Sequence, residues 1–371
     1  MKCKLSDICN FRKGKIGVSN LTLKTYISTE NMLPNKGGIT EASSLPTAQL
    51  TQEYKKGDVL VSNIRPYFKK IWLARHDGGC SNDVLVFQGN SNIDGDFFYY
   101  VLANDDFFAY SMATSKGTKM PRGDKTSIMQ YEVPIFDIDT QRKIASVLRS
   151  LDEKIELNVA INNNLEQQAQ AIFKFWFIDF EPFSSRKPSN WSVSTLGNVA
   201  IMGVGGDKPQ NVSPIKTDLY EYPIYSNGLS NEGLYGFTDK PKISEESVTV
   251  SARGTIGFVC LRHIPYVPIV RLVTLIPKAE IISAKYLYLW LKQLHITGTG
   301  TTQQQLTVPD FQKTEILVPS QEIVTLFTAT VEPIFEKIWA NQNENEKLSS
   351  LRDTLLPKLM SGELDVSNIE I

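Results

Sequence analysis

Cations cluster in two loops in the first half of the chain. Residues 115–125 read SKGTKMPRGDK and supply Lys116, Lys119, Arg122 and Lys125; residues 63–70, NIRPYFKK, supply Arg65, Lys69 and Lys70. Charges in glycine-flanked loops, where backbone can approach a groove, suit a polyanion. Each neutralises a phosphate, and an arginine fork also matches the O6 and N7 acceptors of guanine. The first four are expected to contact DNA, and the other three to do so more weakly. The second half offers different chemistry: Arg253 in SARGT, and the tract GTTQQQ with Thr301, Thr302, Gln303, Gln304 and Gln305. Glutamine pairs bidentately with adenine, and threonine reaches a phosphate or a thymine methyl. Base contacts are therefore expected from Arg253, Gln303, Gln304 and Gln305. One lysine-rich loop is ordinary solvated surface, so the inference rests on two polar loops at matching positions of an internal repeat.

Catalytic residues do not assemble from the sequence. No GxxxxGK[ST] phosphate loop, GxSxG elbow or HExxH pair occurs, and GVGG at 203–206 lacks the GxGxxG spacing and reads as a turn. The Asp/Asn-Pro-Pro-aromatic loop with which an amino-methyltransferase holds its target base is missing too. Asp152, Glu153 and Lys154 carry nuclease-like charges but fall in a helical pattern, and read as a solvated helix face. The four cysteines form no CxxC pair and the three histidines are scattered. No metal site is expected, and the cysteines are expected to be buried, reduced thiols. The chain reads as a non-catalytic protein.

At 371 residues, with 42% hydrophobic and 21% charged residues, the chain is long enough for two or more globular domains. No apolar run approaches the ~20 residues of a membrane span. The start, MKCKLSDICNFRKGK, has no apolar signal core, so a cytoplasmic location is expected. The net charge of −1 hides an alternation: Lys and Arg exceed Asp and Glu by 4 over residues 1–136 and by 3 over 184–319, and fall short by 3 over 137–183 and by 5 over 320–371.

An internal repeat yields the same boundaries. GDVLVSNIRPYFKKIWLA from Gly57 parallels ESVTVSARGTIGFVCLR from Glu246, and FFYYVL from Phe97 parallels YLYLWL from Tyr286. TSKGTKMPRGDK from Thr114 parallels TGTGTTQQQLT from Thr297, and QRKIASVLRSLDEKI from Gln141 parallels QEIVTLFTATVEPIFEKI from Gln321. Each copy is a globular part followed by a helix. The globular parts read as mixed α and β: DVLVS, DVLVFQ, SVTVS and GFVCL are strands, and ISAKYLYLWLKQL with its first-half partner are helices with a buried aromatic face.

A heptad seam runs through Ile144, Leu148, Leu151, Ile155, Asn158, Asn162, Leu165, Ala169, Ile172 and Trp176. A second runs through Val324, Phe327, Val331, Ile334, Ile338, Asn341, Asn345, Leu348, Arg352, Leu355 and Leu359. Asparagines interrupt both seams at matching places and suggest a facing polar layer that fixes register. Pro333 is expected in the first turn of the second helix and Pro357 at its end, leaving ~35 Å between them at 1.5 Å per residue.

These segments, with QRKIASVLRSLDEKIELN, IFKFWFIDFEPF and the closing LRDTLLPKLMSGELDV, resemble the specificity subunits of type I restriction–modification systems over essentially the whole length. The chain departs from the pattern in QEIVTLF, which lacks the basic residue of QRKIASV, and at Pro333. The resemblance implies an α+β, pseudo-twofold architecture of two target-recognition domains, 1–136 and 184–319. Two long spacer helices, within 137–183 and 320–371, separate them and pair as an antiparallel coiled coil. It implies that each domain reads one half of a split site in double-stranded DNA and that the helices set the spacing. Two methyltransferase subunits and then restriction/translocase subunits would assemble on the chain. S-adenosylmethionine, ATP and Mg would belong to those partners, with no cofactor on this chain. Phe173, Trp176, Phe177 and Phe180, with Leu356, Leu359 and Met360, would then be partly core and partly docking surface for a methyltransferase subunit. The competing readings are an enzyme with its own chemistry, a coiled-coil adaptor that never touches DNA, and a specificity subunit of a fused restriction–methylation system.

Overall fold

A computed structural model describes residues 2–298 and 305–369. The chain forms two compact units, Met1–Asn158 with Asn343–Ile371, and Val159–Gln342, so each unit takes one globular part and a portion of each long helix.

The main sheet of the first unit orders its strands Cys9–Phe11, Val84–Gly89, Val59–Ser62 and Ile71–Leu73, antiparallel throughout. Successive side chains of a strand point to opposite faces. Val59 and Val61 enter a core with Leu85, Phe87, Phe97 and Phe98, while Leu60 and Val86 enter another with Ile27 and Tyr54. Both faces are covered, which is why the strand reads as an unbroken apolar run. Helix Gly95–Ala103 starts where Asp94 accepts from Phe97 N–H at 3.0 Å.

The second unit repeats this plan. Ala200–Val204, Val273–Pro277, Ser247–Val250 and Val259–Arg262 form a sheet of the same order, again antiparallel. Helix Ala284–Gln293, capped by Ser283, buries Tyr286, Leu287, Leu289 and Leu291. The GVGG stretch is not a simple turn: Gly203 and Val204 finish a strand, and Gly205 continues the pairing through its N–H to Leu272 O at 2.8 Å.

The long helices are Ile138–Phe177, 40 residues, and Gln321–Ser361, 41 residues, each roughly 60 Å long at 1.5 Å per residue. In the first unit Ile144 and Leu148 share a core with Leu356, Leu359 and Met360. In the second, Ala169, Phe173 and Phe177 pack with Phe327, Val331 and Phe335. Asn158 then meets Asn345 in the first unit and Asn162 meets Asn341 in the second, so within each unit the partner falls back along one helix as the other advances, and the segments run antiparallel.

Neither proline bounds the second helix, contrary to the sequence expectation. Pro333 and Pro357 both lie inside it, on exposed positions. An interior proline removes a hydrogen bond and costs about 3 kcal/mol. Here Val331 and Phe335 are buried on either side of Pro333, and Leu356 and Leu359 around Pro357, which anchors the adjoining turns. Asp152 is not a solvated residue either. It accepts from Tyr100 Oη at 2.6 Å and pairs with Arg352 at 2.7 Å, with both partners of that pair largely buried.

Cys9, Cys80 and Cys260 are buried free thiols pushed up to about 12 by burial, whereas Cys3 is only half-buried. Among the described residues no group of His, Cys, Asp and Glu could hold a metal, and no helix is long and apolar enough to cross a membrane.

Candidate nucleic-acid interface

Two hairpins at equivalent places in the main sheets carry the expected contact residues. In the first unit the chain leaves Val59–Ser62, passes through the 3-10 turn Pro66–Phe68 and returns as Ile71–Leu73. Arg65 and Lys69 flank the turn, both at φ 51°, a left-handed conformation that costs a non-glycine residue of order 1–3 kcal/mol. Backbone bonds hold it: Arg65 N–H donates to Pro121 O at 2.9 Å, and Gly123 N–H to Asn63 O at 3.3 Å. Lys116 and Arg122 exchange N–H···O bonds of 2.9 and 3.0 Å, closing a second hairpin whose tip exposes Lys119 and Met120. Gly123 packs closely at its foot, where a Cβ would lie 2.7–2.9 Å from side-chain atoms of Ile128, Ser111 and Asn63. The two cation-bearing segments thus form one surface.

Several of these cations already hold an anion. Lys116 meets Asp124 at 2.5 Å, Arg122 meets Asp83 at 3.0 Å, and Lys69 meets Asp105 at 2.7 Å. The Lys116 contact, with the Ser127 N–H, draws the Asp124 carboxyl down to about 2. Burial raises Asp105, but Lys69 and Lys36 outweigh it and its pKa is lowered. Solvent-exposed pairs of this kind contribute little to stability. Lys125 Nζ lies 5.7 Å over the Phe11 ring. Lys119 has no hydrogen bond or ion pair among the described residues. Lys70 is different: its Nζ donates to Thr29 O at 2.6 Å and burial lowers its pKa, so it serves the fold. The sequence reading missed the holding carboxylates Asp83, Asp105 and Asp124, because each comes from a distant or unremarkable position.

In the second unit the loop between Ser247–Val250 and Val259–Arg262 closes through Ser251 N–H to Phe258 O at 2.9 Å, and Gly257 N–H to Ser251 O at 3.0 Å. Leu306 N–H donates to Ala252 O at 3.0 Å, the counterpart of the Gly123–Asn63 bond. Arg253 Nη2 and Nε both donate to Gln305 Oε1, at 2.7 and 3.1 Å, bringing two of the expected base readers together. Thr301, Thr302, Gln303 and Gln304 lie outside the described residues. Four buried side-chain polar atoms among the described residues lack a hydrogen-bond partner, and three of them, Asn63 Oδ1, Arg65 Nε and Thr255 Oγ1, belong to these two hairpins. Such atoms in a folded protein call for an explanation.

The helix residues sort differently from expectation. Phe173, Phe177, Leu356, Leu359 and Met360 are at most 6% exposed and so offer no docking surface. They fill the cores of their own units, with the Phe177 ring 4.9 Å from both Phe327 and Tyr286. Trp176 and Phe180 are half-buried against Phe183 and Trp191. The exposed members of the same run are Phe175 and Ile178, at 49% and 42%. A helix turns 100° per residue, so this sorting could have been drawn from the spacing once the inward face was known. Asn158 meets Asn345, and Asn162 meets Asn341, each pair within one unit.

Two stretches, residues 1–167 and 188–349, match the family described as "Type I restriction modification DNA specificity domain". Among curated relatives, the "Type I restriction enzyme HindI specificity subunit" of Haemophilus influenzae is 28% identical, over 91% of this chain and 94% of the relative. The "Type I restriction enzyme MjaIX specificity subunit" of Methanocaldococcus jannaschii is 27% identical over 78% of this chain and 74% of that one. Among solved structures, a type I restriction–modification S subunit from M. genitalium shares the fold with a TM-score of 0.55 and 18% identity, covering 97% of this chain and 96% of its own. With the matches falling on the two copies of the repeat, the chain belongs to the type I restriction–modification DNA specificity family.

Proposed function

We propose that this chain is the non-catalytic specificity subunit of a type I restriction–modification enzyme. Each unit reads one block of a two-part site in double-stranded DNA. The long helices set the unread gap, and methyltransferase and restriction subunits dock on the chain. The observation that carries this reading is the duplicated construction of the candidate surface. In both units a hairpin of the main sheet is bonded, backbone to backbone, to a polar loop (Gly123 to Asn63, Leu306 to Ala252), and an arginine, Arg65 or Arg253, stands within two residues of that bond. A single binding face would suit an adaptor; two copies of one polar face suit a divided polymer site.

The test is a genome-wide methylation map made with the chain and its partner subunits. Inserting four residues after Asn162 and four after Asn341, about one helical turn each, is expected to lengthen the gap and leave both blocks unchanged. A gap that stays the same, or altered bases inside a block, overturns the role of the helices. A methylation pattern indifferent to this chain overturns the reading as a whole.

A further inference from the structure

The GVGG stretch at 203–206 lies outside the recognition hairpins, yet it clamps a strained turn that is tied to one of them. Val270 and Arg271 both sit at positive φ, 52° and 58°. For a β-branched valine that is a genuine outlier, of the kind that persists where the surroundings over-determine it. Arg271 N–H donates to Gly205 O and Val270 N–H to Gly206 O, both at 2.9 Å. Only glycine permits this approach, because a Cβ at Gly205 would lie 2.7 Å from the backbone N and O of Ile269. One side chain joins the turn to the hairpin of Arg253. Asn227 Nδ2 donates to Val270 O at 2.6 Å, while its Oδ1 accepts from Ala252 N–H at 2.8 Å.

The turn displays Val270, 54% exposed, and an exposed Arg271 whose side chain has no hydrogen bond or ion pair among the described residues. In the first unit the turn before Val84–Gly89 meets its own hairpin through Asn63 N–H to Asp83 O at 2.8 Å, but Asp83 is a carboxylate and holds Arg122. The second unit puts a cation at the corresponding place. Lys242 adds charge nearby, its Nζ 3.8 Å from where a Cβ at Gly206 would lie, and Asp207 is the exposed carboxylate beside it in sequence.

We propose that Arg271 is a base-reading residue of the second unit, its guanidinium aimed by the Val270–Arg271 turn at a guanine edge in the DNA block met by Arg253 and Gln305. The proposal rests on the reading of the second unit as a DNA reader. A phosphate can be met from many directions by a flexible lysine. A bidentate fork on O6 and N7 needs a fixed plane and direction, which a strained turn clamped by glycine supplies.

The experiment uses the full chain assembled with its partner subunits and DNA duplexes built from the wild-type methylation map, with every single-base substitution of the site. R271A is expected to lose about 5- to 150-fold of discrimination at one G·C pair of one block, leaving the other block untouched. R271K keeps the charge and does not restore the discrimination. V270G, which relaxes the turn, blunts the same position while the melting temperature holds or rises. Loss of affinity spread evenly over all duplexes, with a salt slope lower by about one, marks a phosphate contact and overturns the proposal; so does an unchanged profile. A wild-type complex with no preferred site defeats the DNA-reading assignment itself, and the proposal with it.

Discussion

Asn158 Nδ2 donates to Asn345 Oδ1 at 2.9 Å in the first unit, and Asn341 Nδ2 donates to Asn162 Oδ1 at 2.8 Å in the second. Within the first unit Ile144 and Leu148 share a core with Leu356 and Leu359 while Asn158 meets Asn345, the signature of antiparallel pairing. Asn158 also reaches Glu344 at 2.8 Å, and Asn162 Nδ2 donates to Ile338 O at 3.1 Å. Asn158 and Asn341 are each 1% exposed, so their amides are desolvated. Any other register would strand them, and a stranded buried amide costs roughly 1–3 kcal/mol.

The single change Asn158→Ala is therefore expected to destabilise the protein by about 1–3 kcal/mol, because it removes the partner of Asn345 at a buried site. Asn158→Leu with Asn345→Leu is expected to be neutral or stabilising, since a matched apolar pair needs no hydrogen bond. Denaturant melts of the single and double variants check this. A double variant weaker than the single one would show that the asparagines stabilise the seam outright.

In the first unit, Lys119→Gln with Arg122→Gln should lower the salt slope of DNA binding by about two. Lys70→Gln should leave that slope unchanged, because Lys70 is engaged with Thr29. Titrations of the assembled complex across a range of salt separate the outcomes. An equal effect from all three positions would place Lys70 on the DNA after all.

Phe177→Ala should cost about 3–5 kcal/mol, as it empties a ring-filled site in the second unit's core. Phe175→Ser, two residues away on the exposed side, should stay within about 0.5 kcal/mol of wild type. Under the proposed function it should weaken assembly with a methyltransferase subunit, read by co-purification. Undiminished assembly would move the docking surface elsewhere.

His263 stacks on Trp339, ring centroids 4.0 Å apart. Burial first, and then the charges of Lys285 and Arg262, hold its pKa down to about 4, against 6.5 ordinarily. Between those values the unfolded chain binds a proton that the folded one does not. Its contribution to stability is thus full above pH 6.5 and declines as the pH falls toward 4. Part of the side chain remains exposed, so solvent moderates the loss. NMR titration of the ring should give a midpoint near 4, and His263→Phe should flatten the stability profile over that range.

The sequence by itself determined what local periodicity and repetition encode. Short β-branched runs announced the strands at Val59–Ser62 and Ser247–Val250. The heptads announced two helices, and the matched asparagines announced which residues would face each other, because register is a linear property of the chain. Duplication implied that whatever one half did, the other would do in kind. Tertiary structure alone decided the pairings that depend on distant elements. Arg122 turns to Asp83, Lys69 to Asp105 and Arg352 to Asp152, because the fold, and no spacing rule, brings those charges within reach. Phe177 goes inside and Phe175 stays out, because Tyr286 and Phe327 fix which side of the helix is the core. Helical packing on both sides of Pro333 and Pro357 overrode a local signal to stop, since tertiary contacts can exceed the few kcal/mol at stake in one proline. The turn that holds Arg271 has no sequence signature, because its left-handed backbone is imposed by Gly205, Gly206 and Asn227 from two other segments.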